Sequence, residues 1–177
     1  MHIKSPSPQI DYMLSETRNQ LVNFSQMADT KANILLSISS VLTTVAIAKL
    51  TDPTWILPVV ALVLFMLGAI LCALLAVIPS MNLLRPKKIT ARDRDFNTLF
   101  FGDYARVPYE EYLEHMQEVM NDPNRVYEVQ VLEIHSAGRY LHSTKFNYIK
   151  YGYIFFFLGI IISVVLYILQ VVKIPQV

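Results

Sequence analysis
NQLVNFSQMADTKANILLSISSVLTT, residues Asn19–Thr44, decides the fold. Within it Asn19, Asn23, Gln26, Thr30, Asn33, Ser37, Ser40 and Thr44 recur at spacings of four and three. A mean period of about 3.5 puts all of them on one face of an α-helix, a seam that two or more helices can share. From Asn33 onward the stripe lies inside an otherwise apolar run, Ala32–Leu50. Hydrocarbon satisfies neither an amide nor a hydroxyl, so these groups must face protein or water. They could bond other helices of the same chain. Alternatively they line an interface between copies, or a water path. An odd number of spans offers few internal partners, which weighs toward an assembly.

Outward from this stretch, charge is scarce. The chain has 177 residues, 54% hydrophobic and 16% charged, against about 25% charged in soluble domains. The deficit is concentrated in Ala32–Leu50, Trp55–Ile78 and Tyr151–Val172. Each is close to or above the roughly 20 residues that cross a bilayer. The expected fold is an all-α membrane protein with three transmembrane helices, two of them extended into a cytosolic helical bundle. The expected organisation is an N-terminal cytosolic helix (1–31), transmembrane helices 1 and 2 (32–78), a cytosolic helical segment (79–147), and transmembrane helix 3 with a short external tail (148–177). A net charge of +1 implies no field for a nucleic-acid polymer. The lone Cys72 cannot form an intrachain disulfide and leaves the redox compartment open. The first thirty residues are polar, so no cleavable signal peptide is expected.

Orientation follows from the basic residues. Arg85, Lys87, Lys88, Arg92 and Arg94 follow the second span, and Arg139, Lys145 and Lys150 precede the third, whereas Thr51–Thr54 has no Lys or Arg. The positive-inside rule then puts the N-terminus and the middle segment in the cytoplasm. Trp55 at one interface and Tyr148, Tyr151 and Tyr153 at the other fit aromatic belts.

Between Gln9 and Leu50 there is no Pro or Gly, so one helix of about 60 Å is expected, ended by Thr51-Asp52-Pro53. Pro79 and Pro86 end the second span. Val107-Pro108 opens a short helix with Glu110 and Glu111 in its first turn, where the helix dipole favours acids, and Asn121-Asp122-Pro123 stops it. A second long helix should start near Asn124 and run through the third span, with Tyr127, Val131, Ile134, Gly138 and Leu141 as its seam. Small residues at four-residue spacing (Gly68, Cys72 and Ala76; Ala69 and Ala73; Gly159 and Ser163) are packing signals for close helix approach.

Candidate sites each carry a plainer alternative. His135, Arg139 and His142 share a helix face: a metal site lacks ligands and suffers the intervening cation, a phosphate would suit the Arg fork, and a solvated face needs neither. Phe100, Phe101 and Tyr104 could stack on a base or plug a small core. Asp29 and Lys31 flank the entry of the first helix into lipid, as interfacial anchors or as a hinge beside a ligand. Catalytic motifs (GxSxG, a P-loop, HExxH, CxxC) are absent from the sequence, and a solvated face accounts for Glu110, Glu111, Glu114 and Glu118. No enzyme, no metal and no resident cofactor are expected.

Three blocks of the sequence resemble one bacterial family when read in order. They are Ala28-Asp29-Thr30-Lys31-Ala32-Asn33-Ile34-Leu35-Leu36; Leu99-Phe100-Phe101-Gly102 with Glu110-Glu111-Tyr112-Leu113; and Ala137-Gly138-Arg139-Tyr140-Leu141 with Lys145-Phe146. The family is the transmembrane effectors of Pycsar, the pyrimidine cyclase system for anti-phage resistance. The resemblance runs from about Gln20 to Leu169. It implies an effector of the inner membrane, activated by cyclic CMP or cyclic UMP, that impairs membrane integrity and causes abortive infection; the polar stripe adds the expectation of a homo-oligomer. Carried onto this chain, it makes Arg139 the first candidate for the cyclic phosphate, with His135 and His142 on the same face. Phe100, Phe101 and Tyr104 become candidates for packing around the nucleotide. Asp29, Lys31 and Asn33 become candidates for coupling at the membrane. Asp103 stands where the family pattern leads one to expect His, a departure that bears on ligand specificity. The alternative is a constitutive scaffold or accessory subunit that binds a protein partner through its cytosolic helices.

Overall fold
The structure, a computed structural model, describes residues 6–78, 89–93 and 96–173. Arg85, Lys87, Lys88 and Arg94, on which the orientation partly rests, and the breaks expected at Pro79 and Pro86 lie outside the described residues. Among the described residues every regular element is helical: α1 (Pro8–Ile47), α2 (Ile56–Val77), α3 (Phe101–Tyr104), α4 (Tyr109–Met120), α5 (Pro123–Tyr140), a π-turn (Leu141–Lys145) and α6 (Phe146–Lys173). Three helical runs are long and apolar enough to cross a membrane: Pro8–Ile47, Ile56–Val77 and Pro123–Val172. The all-α membrane fold expected from the sequence is therefore found.

Helix boundaries follow local chemistry. α1 ends three residues earlier than the apolar run suggested, because the Lys49 and Leu50 amides bond back only three residues, to Ala46 and Ile47. Asp52 then closes the turn, its Oδ1 accepting the Thr54 amide at 2.9 Å and the Thr54 hydroxyl at 2.6 Å. Such side-chain bonds compete with helix, and Pro53 disfavours helical backbone at the residue before it. α5 starts at Pro123, with Asp122 as N-cap accepting the Asn124 amide at 2.9 Å. The second long helix is continuous but not uniformly α, since Leu141–Lys145 winds as a π-turn. Such turns insert one extra residue per turn, often at functional positions.

The chain forms two compact units. A polar unit holds Met1–Phe24 and Pro79–Leu141, and a membrane unit holds Ser25–Ile78 and His142–Val177. In the membrane unit α2 packs along α6. Ala69, Ala73 and Ala76 are buried, and Gly68 also faces α6, where its added Cβ would lie 3.2 Å from the Phe155 ring. On α6 a Cβ at Gly152 would lie 2.6 Å from Leu35 Cδ2 and 3.2 Å from Cys72 Cβ. Gly152 is thus where α1, α2 and α6 meet, and only the absence of a side chain allows the approach. A Cβ at Gly159 would lie 2.6 Å from Phe65 Cβ. Trp55 stacks on Tyr167 at 4.2 Å between ring centroids, closing one end. The most apolar part of the third run is only 6% buried, so α6 turns most of its hydrocarbon outward, as a lipid-facing helix does.

Candidate functional site
The membrane-embedded stripe comes first. Ala28, Ala32, Leu35, Ser39 and Ala46 form the buried side of α1. Asn19, Asn23, Gln26, Thr30, Asn33, Ser37, Ser40 and Thr44 are all exposed. The hydroxyls of Thr30, Ser40 and Thr44 bond carbonyls of their own helix, at 3.0 Å to Gln26, 2.7 Å to Leu36 and 3.0 Å to Ser40. Asn33 and Ser37 line a shallow groove with Thr30, Ile34 and Ile38. Among the described residues none of the eight bonds another helix, so intrachain helix–helix bonding does not account for the stripe.

Beside the stripe, still in the membrane unit, Lys145 is buried in the π-turn. Its Nζ lies 2.7 Å from Asp29 Oδ1 and donates to Ser25 Oγ at 2.9 Å. Asp29 therefore has a definite partner, where the sequence showed only a charge near the lipid boundary. Lys31 is exposed, and its carbonyl accepts the Tyr153 hydroxyl at 3.3 Å.

The polar unit contains a cleft. Its small core is Ala91, Phe96 and Val107, flanked by Ile89 and Tyr112. Polar bonds fix the loop that carries it. Glu111 accepts the Ala91 amide at 2.7 Å, Glu133 accepts Asn97 Nδ2 at 2.7 Å, and Asp103 accepts the Asn97 amide at 3.1 Å. At the position where the family resemblance leads one to expect His, Asp103 thus does structural work. The loop, α4 and α5 border an open cleft of about 530 Å³. Arg92, Asp93, Phe96, Thr98, His115, Glu118, Arg125 and Glu128 supply the chemistry of the lining. Glu111 and Glu118 are accordingly not a bare solvated face: one staples the loop, and the other pairs with Arg125 at 3.0 Å.

Within the cleft the His115 ring meets Phe96 edge-on at 5.5 Å, and its Nε2 lies 2.9 Å from Thr98 Oγ1. Burial pushes the imidazole below its ordinary pKa and nearby Arg125 adds to this, while Glu118 opposes it. The Arg125 hydrogen bond holds the Glu118 carboxyl below its usual range. An unfolded His titrates near about 6.5. Below that pH the unfolded chain binds the proton that folded His115 resists. Its contribution to stability is complete above about 6.5 and is lost as pH falls toward the folded value. Thermal unfolding from pH 7.5 down to 5.5 should therefore show a falling midpoint that flattens in part in His115→Gln. Parallel curves for the two proteins would contradict it.

None of the six ligand candidates read from the sequence lines this cleft. Phe100 and Phe101 are exposed and touch each other at 5.1 Å, and Tyr104 lies against Tyr112 at 5.4 Å. His135 and Arg139 are exposed on α5 in the polar unit, whereas His142 falls in the membrane unit. Among the described residues no group of three His, Cys, Asp or Glu is placed to hold a metal ion. A family model described as the Pycsar effector protein domain matches residues 13–170. No curated protein and no solved structure matches the chain.

Proposed function
Since this chain belongs to the Pycsar effector family and so has a role in anti-phage defence, we propose that it is a homo-oligomeric effector of the bacterial inner membrane that a cyclic pyrimidine mononucleotide switches on. The polar unit lies in the cytoplasm and binds cyclic CMP or cyclic UMP. The membrane unit answers by letting the bilayer leak, and the infected cell stops growing. The observation that carries this reading is the outward polar face of α1, from Thr30 to Thr44, inside a membrane-spanning helix. On this face Thr30, Ser40 and Thr44 satisfy their hydroxyls on their own helix, whereas Asn33 and Ser37 present groups that lipid leaves unsatisfied, so the face as a whole does not suit a simple anchor. It suits contact with further copies of the chain in one state and with water in another.

The nucleotide shifts this balance only by binding one state more tightly than the other. Moving it from 1:99 to 99:1 takes about a 10⁴-fold difference in affinity, of which several subunits can each supply a share. α1 and the run from α5 into α6 each contribute residues to both units, so a change at the polar end has a covalent route into the spans. Titrating isotope-labelled cyclic CMP and cyclic UMP onto the detergent-solubilised chain tests the reading. Saturable binding of at least one is expected, and its absence for both would overturn it.

A further inference from the structure
The polar-unit cleft has a chemistry more specific than a generic ligand pocket. Among its described lining residues two guanidiniums, Arg92 and Arg125, face three carboxylates, Asp93, Glu118 and Glu128. With His115 neutral, these described residues sum to one net negative charge, which disfavours a ligand bearing several negative charges. A ligand with one negative charge needs one of these two cations. Of the two, Arg125 is already oriented on an anion, its Nη1 bonding Glu118 Oε2 at 3.0 Å across the turn between α4 and α5. Both side chains remain accessible, 41% and 56% exposed, so the pair is solvent-screened and readily exchanged.

A carboxylate and a cyclic phosphodiester present the same face to a guanidinium: one negative charge shared by two terminal oxygens. An Arg fork accepts either in a bidentate pair. We propose that this cleft is the nucleotide site, that Arg125 receives the cyclic phosphate, and that Glu118 is the resident anion that the phosphate displaces. The proposal rests on the nucleotide reading above and gives it a place and a selectivity. Phe96, Thr98 and His115 supply the less charged part of the lining, suited to base and ribose. A linear phosphate monoester carries about −1.5 to −2 charge at pH 7, and the net-negative lining disfavours it. The cleft therefore selects the cyclic over the linear form of the same nucleotide by charge.

The Arg125–Glu118 pair also clips α4 to α5, so a loss of binding in one variant would be ambiguous. Variants on its two sides resolve this, because removing either breaks the clip, yet they shift binding in opposite directions. Equilibrium binding of labelled cyclic CMP and cyclic UMP is measured on the full detergent-solubilised chain, with unlabelled linear CMP and UMP as competitors. Arg125→Ala should weaken binding by about tenfold or more, the size of a lost charge-assisted bond. Glu118→Gln should tighten it several-fold, since the competitor for the fork has lost its charge. The linear nucleotides should compete at least about tenfold less well than the cyclic forms.

If both variants weaken binding alike, the pair is a structural clip and the proposal is overturned. It is equally overturned if neither variant changes binding, or if Arg139→Ala abolishes binding while Arg125→Ala does not. In each of these cases the wild-type chain still binds and the functional reading stands. Failure of the wild type to bind either cyclic nucleotide overturns both.

Discussion
Cells producing the triple variant Asn33→Leu, Ser37→Leu, Ser40→Leu should survive an activation that would kill cells producing the wild type, and the purified variant should bind nucleotide with the affinity of the wild type. The three residues lie on the outward face of α1, and their replacement makes that part of the stripe hydrocarbon. Leu costs nothing against lipid and adds helix propensity, so insertion and folding are preserved. What is lost is a surface that water can wet. The expected effect is all or nothing, because a channel or defect lined by Leu excludes water through its whole length. Growth after induction, with dye entry as the membrane readout, checks it. Persistent toxicity would make the stripe a passive feature.

Gly152→Val should clearly destabilise the membrane unit. Its new side chain has nowhere to go: Leu35 Cδ2 stands 2.6 Å from the first added carbon, Cys72 Cβ 3.2 Å, and the Ala69 carbonyl oxygen 3.5 Å. Overpacking of this kind costs about 1–3 kcal/mol, and here Cys72 Cβ, fixed to its backbone, cannot swing aside as the Leu35 methyl can. In a chain of this size that corresponds to a fall in melting midpoint of about 2–12 °C, with the upper part expected. Gly138→Ala is the matched control. Its Cβ would meet only Leu21 Cδ2, at an ordinary 3.8 Å, and replacing a helical Gly by Ala gains up to about 1 kcal/mol. Thermal unfolding in detergent should separate the two in sign. Equal midpoints for Gly152→Val and the wild type would show that α1, α2 and α6 do not meet there.

The helices were legible in the sequence because their signals are local. The seam of α1 is a period, the three spans are runs of hydrocarbon, and α5 begins at an Asp-Pro pair that caps and starts a helix by itself. The cleft was not legible, because no local rule joins its walls. Asn97 meets Glu133 across 36 positions and Thr98 meets His115 across 17. Arg125 and Glu118 are only seven apart, but they come together because a turn at Asn121-Asp122 folds α5 back onto α4. Ligand candidates chosen by residue type on one helix face, such as His135 and Arg139, could not detect a cleft made by a loop. Asp29 and Lys145 illustrate the same limit, since their ion pair joins residues from the first and last helical runs. The π-turn that holds Lys145 has no compositional mark.

In the proposed mechanism every step after nucleotide binding depends on the outward face of α1 being covered by further copies of the same chain. Native mass measurement of the full chain, released directly from lipid nanodiscs, tests this most directly. The account predicts a defined homo-oligomer, reduced to smaller species in the triple Leu variant. A wild-type particle of one chain, stable in lipid with Asn33, Ser37 and Ser40 facing the acyl chains, would contradict it.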